Sequence, residues 1–65
     1  MNKIFKPYLE ESLENKKGIT FFVNGNTIIG YVTKIIDDIA VEVKNQRSSK
    51  AIILLEKIDA VELSY

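Results

Sequence analysis

The side chains that most often carry chemistry are scarce in this chain. It has no histidine and no cysteine among its 65 residues, so it holds the makings of neither a zinc finger nor a Cys- or Ser/His-based nucleophilic site. What remains is one pair of adjacent carboxylates, Asp37-Asp38, a combination that would suit acid/base work or cation binding. Adjacent aspartates between two β-branched runs are ordinary turn formers, because their side chains bond to nearby backbone and tolerate left-handed conformations. We therefore expect no catalysis, no metal and no cofactor. Cations appear as the pair Lys16-Lys17 and, later, as Arg47 and Lys50. Nine Lys+Arg balance nine Asp+Glu, for a formal net charge of zero, too even for a general electrostatic grip on a polyanion, which draws on many cation–phosphate contacts. The balance holds locally as well, with four cations against three carboxylates in residues 1–17, one against three in 18–43 and four against three in 44–65.

Whatever these residues do, a few short elements must position them. Residues 7–16 read as a helix: Pro7 suits a first turn, Tyr8, Leu9 and Leu13 share one side, and Gly18 follows as a stop. Glu10, Glu11 and Glu14 precede Lys16 and Lys17, the order that complements a helix dipole. From Ile19 the pattern changes to β-branched and aromatic residues, in Ile19-Thr20-Phe21-Phe22-Val23 and again from Thr27 to Ile36, which predicts two strands. Asn24-Gly25 lies between them, a strong hairpin signal because both central residues of a type I′ turn need positive φ. Gly30 interrupts the second strand, where it would permit a sharp bend. Asp37-Asp38 predicts a second turn, and Ile39-Ala40-Val41-Glu42-Val43 a third strand with Ile39, Val41 and Val43 on its buried face. Residues 45–50 form a polar, basic loop. Ala51-Ile52-Ile53-Leu54-Leu55 is an unbroken apolar run that asks for burial on both faces, and residues 58–63 alternate as a fifth strand.

A single domain of this size sits near the lower limit of what one hydrophobic core can hold together. With disulfides and metal excluded, self-association is the remaining staple. No apolar run approaches the roughly 20 residues that span a bilayer, and the N-terminal residues lack the apolar core and small-residue cleavage site of a signal peptide. The expectation is a cytoplasmic protein without a membrane partner.

The order of these features resembles the Hfq family of bacterial Sm-like proteins. The residues that carry the resemblance are Pro7-Tyr8-Leu9, Phe21-Phe22-Val23-Asn24-Gly25 with Gly30 five positions on, Asp37, Lys44-Asn45, and Ile58 with Val61. It runs from about residue 7 to 61, with small length differences near Lys16, Ile35 and Ser48. The fold it implies is mostly β: a short N-terminal helix, 7–16, followed by a small Sm-like barrel of five strongly bent antiparallel strands, 19–63. It further implies a homo-oligomeric, usually hexameric, ring in which the fourth strand of one subunit pairs with the fifth of the next. Such pairing would remove the edge of the 51–55 run from water.

The resemblance also implies an RNA-binding platform of RNA-chaperone type with two faces. The uridine-binding face of the family uses a Lys-His pair and a polar-aromatic pair, which this chain replaces with Leu55-Glu56 and Asp38-Ile39. Repeated carboxylates there would repel phosphate. The purine-binding face maps onto Phe21, Asn24, Gly25, Asn26, Thr27, Ile28 and Ile29, with Phe21 as the base-stacking surface, Ile28 as an apolar pocket wall and Phe22 as core. Lys16 and Lys17 fall where the family carries a rim of arginines, and Arg47 and Lys50 would extend that rim. The expected function is binding of purine-rich single-stranded RNA on the Phe21 face, weakly dependent on salt. The alternative is an Sm-like ring that serves protein interaction or structure and has lost RNA binding.

Overall fold

The computed structural model describes residues 4–45, 47 and 49–64. Its elements run in the order α1 (Lys6–Asn15), β1 (Ile19–Val23), β2 (Asn26–Ile36), β3 (Ala40–Asn45), β4 (Lys50–Leu54), a 3-10 turn at Leu55–Lys57, and β5 (Ala60–Leu63). The chain is thus mostly β, one N-terminal helix followed by five antiparallel strands in one sheet ordered β4-β3-β2-β1-β5. Of the polar loop expected over 45–50, Gln46 and Ser48 lie outside the described residues.

The predicted hairpin is present. Asn24 and Gly25 both take positive φ, 50° and 82°, and the turn sets Val23 opposite Asn26. The twist of a two-residue turn of this kind matches that of the strands it joins. At the other end of β2 the chain turns through Asp37, also at positive φ, and the Ile39 N–H donates to the Ile36 carbonyl at 3.1 Å. Ile39 therefore sits in the turn and is exposed, while Ala40, Val41 and Val43 are buried. The expectation that Ile39 shares the buried face of β3 fails because the strand starts one residue later.

Two positions of β2 fix how it meets its neighbours. Between Val32 and Lys34 the β2–β3 register slips, with Thr33 as the extra residue and its hydroxyl donating to the Glu42 carbonyl at 3.2 Å. Such a bulge frees a backbone group from the ladder. The Val32 N–H is taken up by Ser12 Oγ of α1 at 2.9 Å, and that hydroxyl in turn donates to the Lys17 carbonyl at 2.7 Å. Ser12 is fully buried and satisfied. One hydroxyl so ties the helix, Lys17 beyond its end and the bulge of the sheet. Gly30 is the second position. A Cβ built there would lie 2.3 Å from the Lys44 carbonyl oxygen, so only glycine lets β2 and β3 approach this closely.

The helix ends before the lysines expected to close it. Lys16 adopts φ 53° beyond the last turn, and no acidic residue lies in the first turn and no basic one in the last. The dipole complement is therefore not realised, and Lys17 instead pairs with Glu11 at 3.4 Å. Holding a lysine in the left-handed region costs about 1 to 2 kcal/mol relative to glycine.

The core gathers Leu9, Ile19, Phe21, Val32, Val41, Val43, Ile53, Leu55 and Ile58. In the 51–55 run Ile53 and Leu55 are buried, at 5% and 6% exposure, whereas Ile52 and Leu54 are 58% and 43% exposed. Burial on both faces is not met within one chain. β5 pairs with β1, not with β4, so β4 and β5 are the two terminal strands of the sheet. No helix of the described residues is long and apolar enough to cross a membrane.

Candidate functional site

The alternation of β1 decides which aromatic is available. Phe21 lies opposite Ile28 on β2 and Val61 on β5, and it is fully buried. Phe22 lies opposite Thr27 and Ala60 and is 38% exposed. The expectation of Phe21 as the stacking ring and Phe22 as core is therefore reversed. The physical reason is the two-residue period of a strand: Ile19 is buried, Thr20 points away from it, Phe21 returns to the core and Phe22 follows Thr20. Thr20 is the signal in the sequence, a polar residue marking the outward parity. The same parity corrects Ile28, which packs against the core, while Ile29 is exposed.

The outer surface of β1 and β2 thus carries Thr20, Phe22, Thr27 and Ile29, bordered by the Asn24-Gly25 turn and Asn26. Its cross-strand neighbours are small, and a ring flanked by Thr27 and Ala60 keeps an open side to solvent. The turn is fixed from a distance. Asp59 Oδ2 accepts the Asn24 N–H at 2.9 Å, and the Asp59 N–H donates to the Phe22 carbonyl at 2.8 Å. Asp59 is a positioning residue that sequence reasoning misses, since nothing in its neighbours distinguishes it from a solvated carboxylate before a strand. Thr27 and Ile29 also line a shallow hollow of about 310 Å³ together with Asn45 and Arg47, which brings a cation beside the outer face.

The four positions at which the resemblance would place a uridine site come together. Asp38, Ile39, Leu55 and Glu56, with Leu54, line a hollow of about 220 Å³, and among the described residues its charged side chains are Asp38 and Glu56. Leu55 is itself buried at 6% exposure, with its N–H donating to the Ile39 carbonyl at 2.8 Å. Lys16 and Lys17 separate: Lys17 turns back to Glu11, whereas Lys16 borders hollows shared with Tyr31 and Lys44. Among the described residues, no cluster of three metal-ligating side chains occurs.

The chain matches no protein-family model and no curated protein. The class its fold defines is correspondingly broad, a helix followed by a five-stranded antiparallel sheet with an exposed aromatic on its outer side.

Proposed function

We propose that this chain is the subunit of an Sm-like, Hfq-type ring that binds purine-rich single-stranded RNA on the outer face of β1 and β2. In this reading the five strands bend into a small barrel, and β4 of one subunit pairs with β5 of the next into a hexamer. The strand order supports this, because the two strands that would meet are the two ends of the sheet and β4 presents Ile52 and Leu54 to solvent. An exposed, apolar edge strand is otherwise a template for uncontrolled pairing. The observation that carries the RNA reading is the outward Phe22, beside the Asn24-Gly25 turn and between Thr27 and Ala60. An aromatic ring on an exposed sheet surface is a stacking platform for an unpaired base. The hollow lined by Asp38 and Glu56 supports the absence of a uridine site.

The test has two parts. Sedimentation at micromolar concentration should give a particle several times the 7.4 kDa of one chain, and Leu54→Lys should split it. A monomeric wild type overturns the ring. Oligo-A should bind the wild type, and Phe22→Ala should weaken it by about 1 to 3 kcal/mol per stacked base. A ring that binds no RNA at low salt would favour the structural alternative.

A further inference from the structure

The Asn24-Gly25 turn holds a reactive pair as well as a shape. An asparagine amide is open to attack by the backbone nitrogen of the residue that follows, and that residue's side chain shields the approach. Of the five asparagines, Asn2, Asn15, Asn26 and Asn45 precede lysine, lysine, threonine and glutamine, and Asn24 alone precedes glycine. Their surroundings separate them further. Asn15 Nδ2 donates to Glu11 Oε2 at 2.6 Å, and Asn45 Oδ1 accepts the Arg47 and Ser49 N–H groups at 2.9 and 3.0 Å. Asn26 opens β2 ahead of β-branched Thr27. Asn24 is exposed, and its side-chain amide has no hydrogen-bond partner among the described residues. A Cβ built on Gly25 would meet nothing within 4 Å, so the neighbouring backbone nitrogen is unshielded.

The fold of the turn restrains the reaction. Ring closure needs the Gly25 nitrogen swung into line with Asn24 Cβ, a rotation out of the left-handed region in which Asn24 sits at φ 50°. Glycine beside it gives the chain the most freedom to make that rotation. The restraint comes from outside the hairpin. Asp59 Oδ2 accepts the Asn24 N–H at 2.9 Å, while the Asp59 N–H donates to the Phe22 carbonyl at 2.8 Å, so one residue ahead of β5 grips the chain on both sides of Val23. The bond from Asn24 is exposed, the kind that opens in local fluctuations.

We propose that Asn24 is a site of spontaneous deamidation, gated by Asp59, whose products undo the hairpin turn. When the turn opens, the Gly25 nitrogen loses its proton to solvent and bonds to Asn24 Cγ. The bond from Cγ to the side-chain nitrogen breaks, that nitrogen leaves as ammonia, and a five-membered imide remains. Water then adds at one of the two imide carbonyls and leaves aspartate or isoaspartate at position 24. No oxidant or reductant takes part, and water is the sole co-reactant. Either product loosens the turn. Aspartate sets a second carboxylate beside Asp59, and the like charges repel. Isoaspartate routes the backbone through the side chain, one methylene longer, so the loop no longer matches the twist of the strands it joins and the Val23–Asn26 register is lost. Phe22 and Thr27 form the next rung of the same ladder. The outer face thus carries a built-in limit to its lifetime, whether or not RNA is what it binds.

The folded protein should be held at mildly alkaline pH for weeks and then digested, with mass spectrometry locating each amide nitrogen replaced by oxygen and an isoaspartyl methyltransferase reporting isoaspartate. The gain should fall at Asn24 and be absent in Asn24→Asp. Chain unfolded in urea sets the ungated rate, and the folded wild type should run well below it. Asp59→Ala should speed the folded reaction about 2- to 10-fold, the equilibrium worth of one hydrogen bond, whereas Asp59→Asn, which keeps an acceptor oxygen, should stay near wild type; melting temperatures show whether each variant is folded. In the aged protein the amide resonances of Val23 and Asn26 should move while that of Val32, held by Ser12, stays. Conversion at Asn15 or Asn45 as fast as at Asn24, or none at Asn24 while the unfolded chain reacts, would overturn the site. An unchanged rate in a folded Asp59→Ala, or equal acceleration in Asp59→Asn, would overturn the gate.

Discussion

The inner and outer sides of the β1–β2 hairpin are built from nearly the same residue types. Phe21 and Ile28 face each other on one side; one residue further along each strand, Phe22 and Ile29 stand on the other. The first pair belongs to the core and the second is exposed. Side-chain chemistry does not distinguish them, and parity alone assigns one phenylalanine to the core and the other to the outer surface. An apolar residue in a small sheet therefore acquires its role from the nearest polar residue that fixes the alternation, here Thr20.

Substitutions that treat the two sides alike test this division most directly. Phe21→Ala should cost about 3 to 5 kcal/mol, the range for an aromatic removed from a packed core, and urea denaturation should find the variant largely unfolded. Phe22→Ala should fall within about 0.5 kcal/mol of wild type in the same experiment; equal losses in the two variants would erase the distinction between the faces. Next in size is Gly30→Ala, whose Cβ would meet the Lys44 carbonyl at 2.3 Å and force β2 from β3, at about 1 to 3 kcal/mol for an overpacked position. Ser12→Ala should cost about 1 to 3 kcal/mol, because it leaves the buried Val32 N–H without an acceptor, and the Val32 amide should lose hydrogen-exchange protection. The smallest effect concerns the outside only. Glu56→Lys should raise oligo-U affinity without changing the melting temperature, by replacing a carboxylate in the hollow with a cation. An equivalent change at Leu55 would instead put a charge into the core.

The sequence states the elements more clearly than the faces. Asn24-Gly25 marks the first turn because few other dipeptides accept two positive φ values, and Asp37 marks the second for a related reason. Strand positions follow from β-branched runs bounded by those turns. The aromatic assignment is harder to read since Phe21-Phe22 carries no polarity of its own. The apolar run at 51–55 misleads differently: its composition asks for two covered faces, whereas one chain supplies only one. Ile53 faces the core, so Ile53→Lys would unfold the subunit and say nothing about a ring; Leu54 is the informative position. Tyr31 and Lys44, which border the hollows beside Lys16, stay invisible as neighbours because they are separated along the chain and meet only through the β2–β3 register. Ser12 is similarly hidden, as its partner exists only once the bulge has formed.

The register of β1 with β5 sets an order of events during synthesis. Ile19 finds its partner Leu63 only after nearly the whole described chain has been made, whereas β1–β2, β2–β3 and β3–β4 are neighbours in sequence and close over short loops. At about 5 to 20 residues per second, the first four strands have about half a second to two seconds together before the fifth, ending at Leu63, is complete. During that interval β1 as well as β4 has an unpaired side, and Phe21 lacks the cover that Val61 gives it. The nascent sheet is thus most exposed to mispairing just before its last strand arrives, and β5 ends that period by covering the edge of β1.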